Sequence, residues 1–233
     1  MTDLWNTLRD GGVSTATLTT VLLKMGLRNV WLRGAAPLHA GVQRVVGPAF
    51  TLRFVPARED MATPAAWASP RSTRAAIEDM PAGCVAVVDA MAVRDAGIFG
   101  DILCERMARR EVAALVTDGV VRDLQGVLDS GLPTWAAGTA APPSVAGLIF
   151  VGWQEPVACG GVAVFPGDTI VADRDGAVVI PQALLAEVVP QAVEQERFEA
   201  WVVGEVRAGR PLPGLYPPDE ATKARYAASR AAG

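Results

Sequence analysis

The sequence predicts an α/β protein in which a parallel αβ layer packs on a β-meander and a long helix lies near the C-terminus. Three observations carry that expectation. Between residues 84 and 136, short apolar runs alternate with helical segments in the order strand, helix, strand, helix, strand, as parallel pairing requires. Beyond Pro142-Pro143 come shorter strand-like runs, separated by the turn clusters Pro166-Gly167-Asp168 and Asp173-Arg174-Asp175-Gly176. From Gln182 to Val206, Leu184, Leu185, Val188, Val189, Ala192 and Val193 fall on one helical stripe.

Taken in order, Ser14 is the N-cap expected for a helix from Thr15 that stops at Gly26. Val45 to Val55 reads as a strand, with Pro48 predicting an edge position or a break. Pro70 to Met80 reads as a short helix. The turn Pro81-Ala82-Gly83 leads into Cys84–Asp89, an apolar run of the kind a doubly buried strand shows. A helix from Asp101 to Arg110 follows Gly100, and Val112–Thr117 is a second buried strand ending in Asp118-Gly119. Arg122 to Ser130 is a short helix closed by Gly131, and Leu132–Ala136 begins the next strand. Val157–Val164, Thr169–Ala172 and Ala177–Ile180 are the strands of the meander. Pro190 is expected to kink or divide the long helix. The tail carries Pro211, Pro213, Pro217 and Pro218 and is expected to be extended. The whole, 1–233, reads as a single domain with a core of about 14–206 and a tail of 207–233.

Composition excludes several functions. Hydrophobic residues make up 51% and charged residues 20% of the 233, a globular balance. Mean hydropathy is +0.27, carried by Ala and Val, which points to extensive burial, subunit contacts included. No apolar run approaches the roughly 20 residues of a membrane span. The start, Met1-Thr2-Asp3-Leu4-Trp5, lacks the basic and apolar regions of a secretory leader, so a cytoplasmic location is expected. Net charge is −4 with no basic stripe, which argues against nucleic acid as a partner. Cys84, Cys104 and Cys159 are widely spaced and odd in number, so they read as buried thiols. His39 is the single histidine, which excludes any multi-histidine metal cluster. Only Lys24 and Lys223 could serve a Schiff base, one in a helix and one in the tail.

Two places could carry chemistry. Gly100-Asp101-Ile102-Leu103 opens a helix whose first-turn amides suit a substrate carboxylate. Thr117-Asp118-Gly119-Val120-Val121-Arg122-Asp123 leaves a buried strand and places Arg and Asp at the next helix start. Arg122 offers a planar fork for a carboxylate or enolate oxygen. Asp123 offers a hard oxygen for a cation such as Mg²⁺. Asp101 and Arg122 both follow inferred buried strands at the same end of the inferred sheet, where ligands bind in parallel layers. Their spacing is Asp-x20-Arg-Asp. Taken singly, Asp101 reads as a plain helix cap and the Arg122-Asp123 pair as a surface ion pair; the pairing of the two places gives the chemical reading. Asp173-Arg174-Asp175-Gly176 has calcium-loop character, but its twelfth position is Leu184, so it reads as a hairpin turn. Arg53, Arg58 and Asp60 read as surface pairing, with selection of a distal carboxylate as the alternative.

These segments also occur in a recognisable order: Val45–Thr51, Gly100–Leu103, Val116–Asp123, Gly131–Ala136, Gly160-Gly161-Val162 with Pro166-Gly167-Asp168, and Asp173–Pro181. In this ordered set the chain resembles the RraA-like family, which includes metal-dependent 4-hydroxy-4-methyl-2-oxoglutarate/4-carboxy-4-hydroxy-2-oxoadipate aldolases. The resemblance implies a swivelling β/β/α-type fold in homotrimers or homohexamers with interfacial active sites. It implies Mg²⁺ or Mn²⁺, with Asp123 as direct ligand and Asp101 acting through metal-bound water. It implies that Arg122 contacts the keto oxygen of a small 2-oxo acid and that the Gly100–Leu103 segment, through amides near Ile102 and Leu103, holds its carboxylate. The activity implied is a class II-type aldolase that releases pyruvate and a second carbonyl compound and also decarboxylates oxaloacetate. For the general base a metal- or Arg-held water is the first choice; Glu194, Glu196 or Glu199 reaching a neighbouring subunit's site is the alternative, each of them otherwise reading as part of a solvated helix face. The family also contains a non-catalytic branch that regulates a partner enzyme such as a ribonuclease. That branch tends to have Gly at the position matching Asp101 and an acid at the position matching Gly126. Asp101 and Gly126 both point this chain to the enzyme branch.

Overall fold

The computed structural model describes residues 2–231. The chain runs α1 (Thr2–Asp10), α2 (Thr15–Lys24), β1 (Ala36–Pro37), β2 (Val45–Pro56), α3 (Thr73–Asp79), β3 (Val85–Asp89), α4 (Asp101–Arg109), β4 (Ala114–Thr117), α5 (Leu124–Asp129), β5 (Thr134–Ala136), β6 (Leu148–Trp153), β7 (Thr169–Asp173), β8 (Gly176–Ile180), α6 (Leu185–Arg207) and α7 (Glu220–Ala231). The strands lie in the order β1-β5-β4-β3-β2-β7-β8, and β6 also pairs with β2. The β2/β3, β3/β4 and β4/β5 pairs are parallel. The pairs β2/β6, β2/β7, β7/β8 and β1/β5 are antiparallel. The expected parallel layer and the expected hairpin are thus joined through one long strand.

Alternation along β3 explains why its sequence is apolar at every position. Val85 and Val87 pack with Leu18, Val21 and Val188 of α2 and α6. Ala86 and Val88 pack on the other side with Ile77, Met107 and Val127 of α3, α4 and α5. A strand covered on both faces has no polar side to show. Helix α2 begins where expected: Ser14 Oγ accepts from the Thr17 amide at 3.1 Å. Asp173 of the β7–β8 turn accepts from the Thr15 amide at 2.8 Å, which ties that hairpin to the helix start.

Several expectations need correction. β2 is central rather than an edge. Its residues Val45–Pro48 pair with β7, and the ladder to β3 begins only at Ala49. Pro48 therefore sits where β2 changes partners, and its missing N–H breaks no ladder to β3. Val157–Val164 is not a strand. Its ends form one bridge, and Cys159–Gly161 turns as a 3-10 helix through left-handed Gly160 (φ 58°) and Gly161 (φ 73°). Strand β6 takes its place earlier in the chain, pairing with β2. Pro190 lies inside an uninterrupted α6, in its second turn. The tail is not extended throughout: α7 folds back on α6, with Tyr226 donating to Glu194 at 3.0 Å and Arg230 pairing with it at 2.7 Å. No helix among the described residues is long and apolar enough to cross a membrane.

Candidate active site

Two loops at the carboxyl ends of β3 and β4 are laced together by backbone. Ile98 N–H donates to Val120 O at 2.9 Å, and Arg122 N–H donates to Phe99 O at 2.8 Å. This lacing requires close approach. A β-carbon at position 97 would lie 2.7 Å from Cβ of Arg122, and one at position 100 would lie 2.6 Å from Oδ2 of Asp123. Gly97 and Gly100 are therefore glycines because Arg122 and Asp123 occupy the space their side chains would need. The result sets the start of α4, with Asp101, directly beside the Arg-Asp pair.

Asp123 has left-handed backbone (φ 53°, ψ 48°) as the residue preceding α5. Asp tolerates this region better than most residues, yet it remains strained, and such positions gather at functional sites. Its Oδ2 accepts from Arg122 Nε at 3.0 Å. Both side chains are half-exposed, at 36% for Arg122 and 43% for Asp123, so the pair can reach a ligand. Asp101 is exposed in the first turn of α4, and Oδ1 accepts from the Ile102 amide at 2.7 Å. That contact differs from the expectation that first-turn amides stand open. The Ile102 N–H is engaged by its neighbour, and the Leu103 N–H is the next first-turn donor.

Gly97, Gly100, Asp101, Leu103, Arg122 and Asp123 line one cleft of about 260 Å³. The predicted group thus converges. Sequence reasoning missed the opposite wall: Trp67, Thr73, Arg74, Pro143 and Ser144. The Arg74 guanidinium lies 5.5 Å from the centre of the Trp67 ring. No spacing in the sequence links residues 67–74 to 122.

The other candidates sort themselves by partner. Glu196 accepts from the Ser14 amide at 3.1 Å, and Glu199 from Gln195 at 2.8 Å and Tyr216 at 3.2 Å. With Glu194 held by α7, the three candidate acids, Glu194, Glu196 and Glu199, all have partners within the chain. Arg58 pairs with Asp60 at 2.7 Å on the surface. His39 Nδ1 accepts from the Gly41 amide at 3.2 Å. The three cysteines are buried, and burial pushes the Cys84 and Cys104 thiols up to about 12. Asp118 is buried beneath the β3–β4 loops and accepts from the amides of Ala90, Ala92 and Gly160 at 2.8–3.1 Å. Burial raises its pKa while those three amides oppose the rise.

Asp101 and Asp123 are the residues able to hold a cation here. Two carboxylates facing one open cleft fit a hard divalent ion of the magnesium type, which takes one or two carboxylates and fills its remaining positions with water or substrate oxygens. Groups of three or more His, Cys, Asp or Glu suited to a metal do not occur among the described residues.

Known proteins share this sequence pattern and fold. The RraA-like family, described as Aldolase/RraA, matches residues 15–179. DlpA of Legionella pneumophila is 28% identical over 176 residues, which cover 76% of this chain and 28% of DlpA, so the chain spans little more than a quarter of that protein. A Halalkalibacterium halodurans protein provisionally named 4-hydroxy-4-methyl-2-oxoglutarate aldolase is 32% identical over 163 residues, 69% of this chain and 70% of that protein. The crystal structure of Streptomyces coelicolor RraAS2, called an unusual member of the RNase ES inhibitor RraA protein family, superposes with a TM-score of 0.76 at 36% identity, covering 85% of this chain and 94% of that one. The chain belongs to the RraA-like family.

Proposed function

We propose that the chain is a divalent-metal-dependent lyase of 2-oxo acids, a class II-type aldolase that also decarboxylates oxaloacetate. The observation that carries this reading is the convergence of Asp101, Arg122 and Asp123 on one cleft. Asp123 would hold Mg²⁺ or Mn²⁺ directly and Asp101 through water. When bound, the ion supplies a Lewis acid at the 2-oxo and carboxylate oxygens.

The protein's own groups do the rest. Arg122 contacts the 2-oxo oxygen, and the Leu103 amide takes the carboxylate. The Ile102 amide is held by Asp101 Oδ1 at 2.7 Å, which fixes the start of α4 beside that donor. A held water removes the 4-hydroxyl proton, the C3–C4 bond breaks, and its electron pair becomes the enolate of pyruvate. The permanent charge of Arg122 stabilises that enolate as it forms, which is where a rate gain must come from. Protonation at C3 releases pyruvate. Loss of CO₂ from oxaloacetate leaves the same enolate, so one site serves both reactions. We favour water as the base because Glu194, Glu196 and Glu199 are engaged within the chain.

Ile102, which lines the cleft, is 78% exposed, and Leu124, next in the chain to Asp123, is 39% exposed. Apolar side chains at a site mouth favour a second subunit covering it, as in a homotrimer or homohexamer. A second reading, a regulator that binds a ribonuclease-type enzyme, draws on the description of the Streptomyces coelicolor structure. Pyruvate release from oxaloacetate and 4-hydroxy-4-methyl-2-oxoglutarate by the purified protein supports the lyase. A folded, metal-supplied protein that turns over neither, yet inhibits a ribonuclease, supports the regulator.

A further inference from the structure

The cleft does not end at Trp67. On its far side lies a second cavity of about 460 Å³, and Trp67, Thr73 and Ser144 line both. The second cavity is walled mainly by apolar side chains, among them Phe54, Ala66, Val145, Ile149 and Phe150. Phe54 and Phe150 meet edge to face at 5.3 Å, which fixes the floor. Two of its hydroxyls have local work: Ser72 Oγ caps α3 through the Ala75 amide, and Ser69 Oγ accepts from the Arg71 amide. Arg71 is its one charged lining residue among those described, and it is exposed. Arg58, which could have met a distal carboxylate nearby, is already paired with Asp60.

We propose that this cavity is a specificity pocket for the distal half of the substrate, and that this half is an apolar body, alkyl or aryl, rather than a second carboxylate. The inference rests on the lyase reading of the adjoining cleft. With the 2-oxo acid end at Arg122 and Asp123, the carbon chain beyond C4 runs along the shared Trp67 wall into an apolar chamber. An apolar pocket gains from each carbon it buries and offers little to an ionised group, which would have to shed its water there. In the aldol cleavage, the departing aldehyde or ketone is the piece that occupies this chamber.

Binding separates the pocket from the chemistry. With Mg²⁺ present, calorimetry should give a Kd for 2-oxo-4-phenylbutanoate at least about ten-fold below that for 2-oxoglutarate. Ala66→Phe, which fills the chamber from an exposed 3-10 turn, should remove that preference and leave oxaloacetate decarboxylation within about two-fold, because oxaloacetate has no group long enough to enter. Equal binding, or tighter 2-oxoglutarate binding that Arg71→Ala abolishes, overturns the apolar pocket. An unchanged preference in Ala66→Phe overturns it as well. Phenyl preference in a preparation that never releases pyruvate sustains the pocket and defeats the lyase reading, so the two fail separately.

Discussion

Gly126 and Asp101 touch: a β-carbon at position 126 would lie 2.5 Å from Cβ of Asp101 and 3.2 Å from its Oδ2. The two positions cannot both carry side chains in this backbone arrangement. In this chain the space belongs to Asp101.

Gly126→Ala tests that contact. Helix propensity alone would stabilise the variant by about 1 kcal/mol. Overpacking against Asp101 costs about 1–3 kcal/mol and should win. Denaturant unfolding should show a net loss, and kcat should fall at least about ten-fold as Asp101 is displaced. Adding Asp101→Gly should restore stability without restoring turnover. A more stable, fully active Gly126→Ala protein would mean that the contact relaxes without consequence.

Arg122→Ala should lower kcat by about two to three orders of magnitude or more, the scale of losing a group that stabilises developing charge. Its pairing with Asp123 is half-exposed, and such pairs contribute about 0–1 kcal/mol, so the fold should survive. Circular dichroism and steady-state kinetics together check this. Near-normal kcat in a folded variant would remove Arg122 from the mechanism.

Asp123 carries a backbone strain that helps separate structure from chemistry. Asn tolerates left-handed geometry much as Asp does, whereas Ala there costs about 1–2 kcal/mol. Asp123→Asn should therefore hold its thermal stability and Asp123→Ala should lose some. Both should lose metal-stimulated turnover. Activation by Mg²⁺ that persists in Asp123→Asn would require a different ligand.

The buried thiols give a pH prediction. Cys84 and Cys104 stand at about 12, above the ordinary thiol value of 9.0. A raised folded value favours the neutral form, so their contribution is fully present below the unfolded pKa and is lost as pH rises toward 12. Ellman's reagent at pH 8 should label the native protein slowly and all three cysteines after unfolding. Urea stability should fall between pH 9 and pH 11. Rapid labelling of the native protein would show that the burial is transient.

The parts of the fold readable from sequence were those set by local rules. Cys84–Asp89 and Val112–Thr117 are apolar at nearly every position because both faces are covered, and the structure places strands there. Ser14 announced its helix because capping is a matter of three residues. What escaped depends on distant partners. β6 is a strand because β2 offers it an edge, and its sequence alone contains too little alternation to show this. α7 is helical against α6, anchored through Glu194, and the prolines before it concealed that. Asp101, Arg122 and Asp123 were legible because each follows a buried strand in a parallel layer. Trp67 and Arg74 were not, since they reach the cleft from a loop and a helix start outside that pattern.

In the proposed reaction, a divalent cation and the Arg122 guanidinium jointly stabilise an enolate in this cleft. The most direct measurement is pyruvate release from oxaloacetate by protein stripped with EDTA and then titrated with Mg²⁺ or Mn²⁺. The stripped sample should show no turnover above the protein-free rate, and metal should restore it saturably, except in Asp123→Asn. Turnover unaffected by stripping, or recovery that is the same in Asp123→Asn, would contradict this reaction.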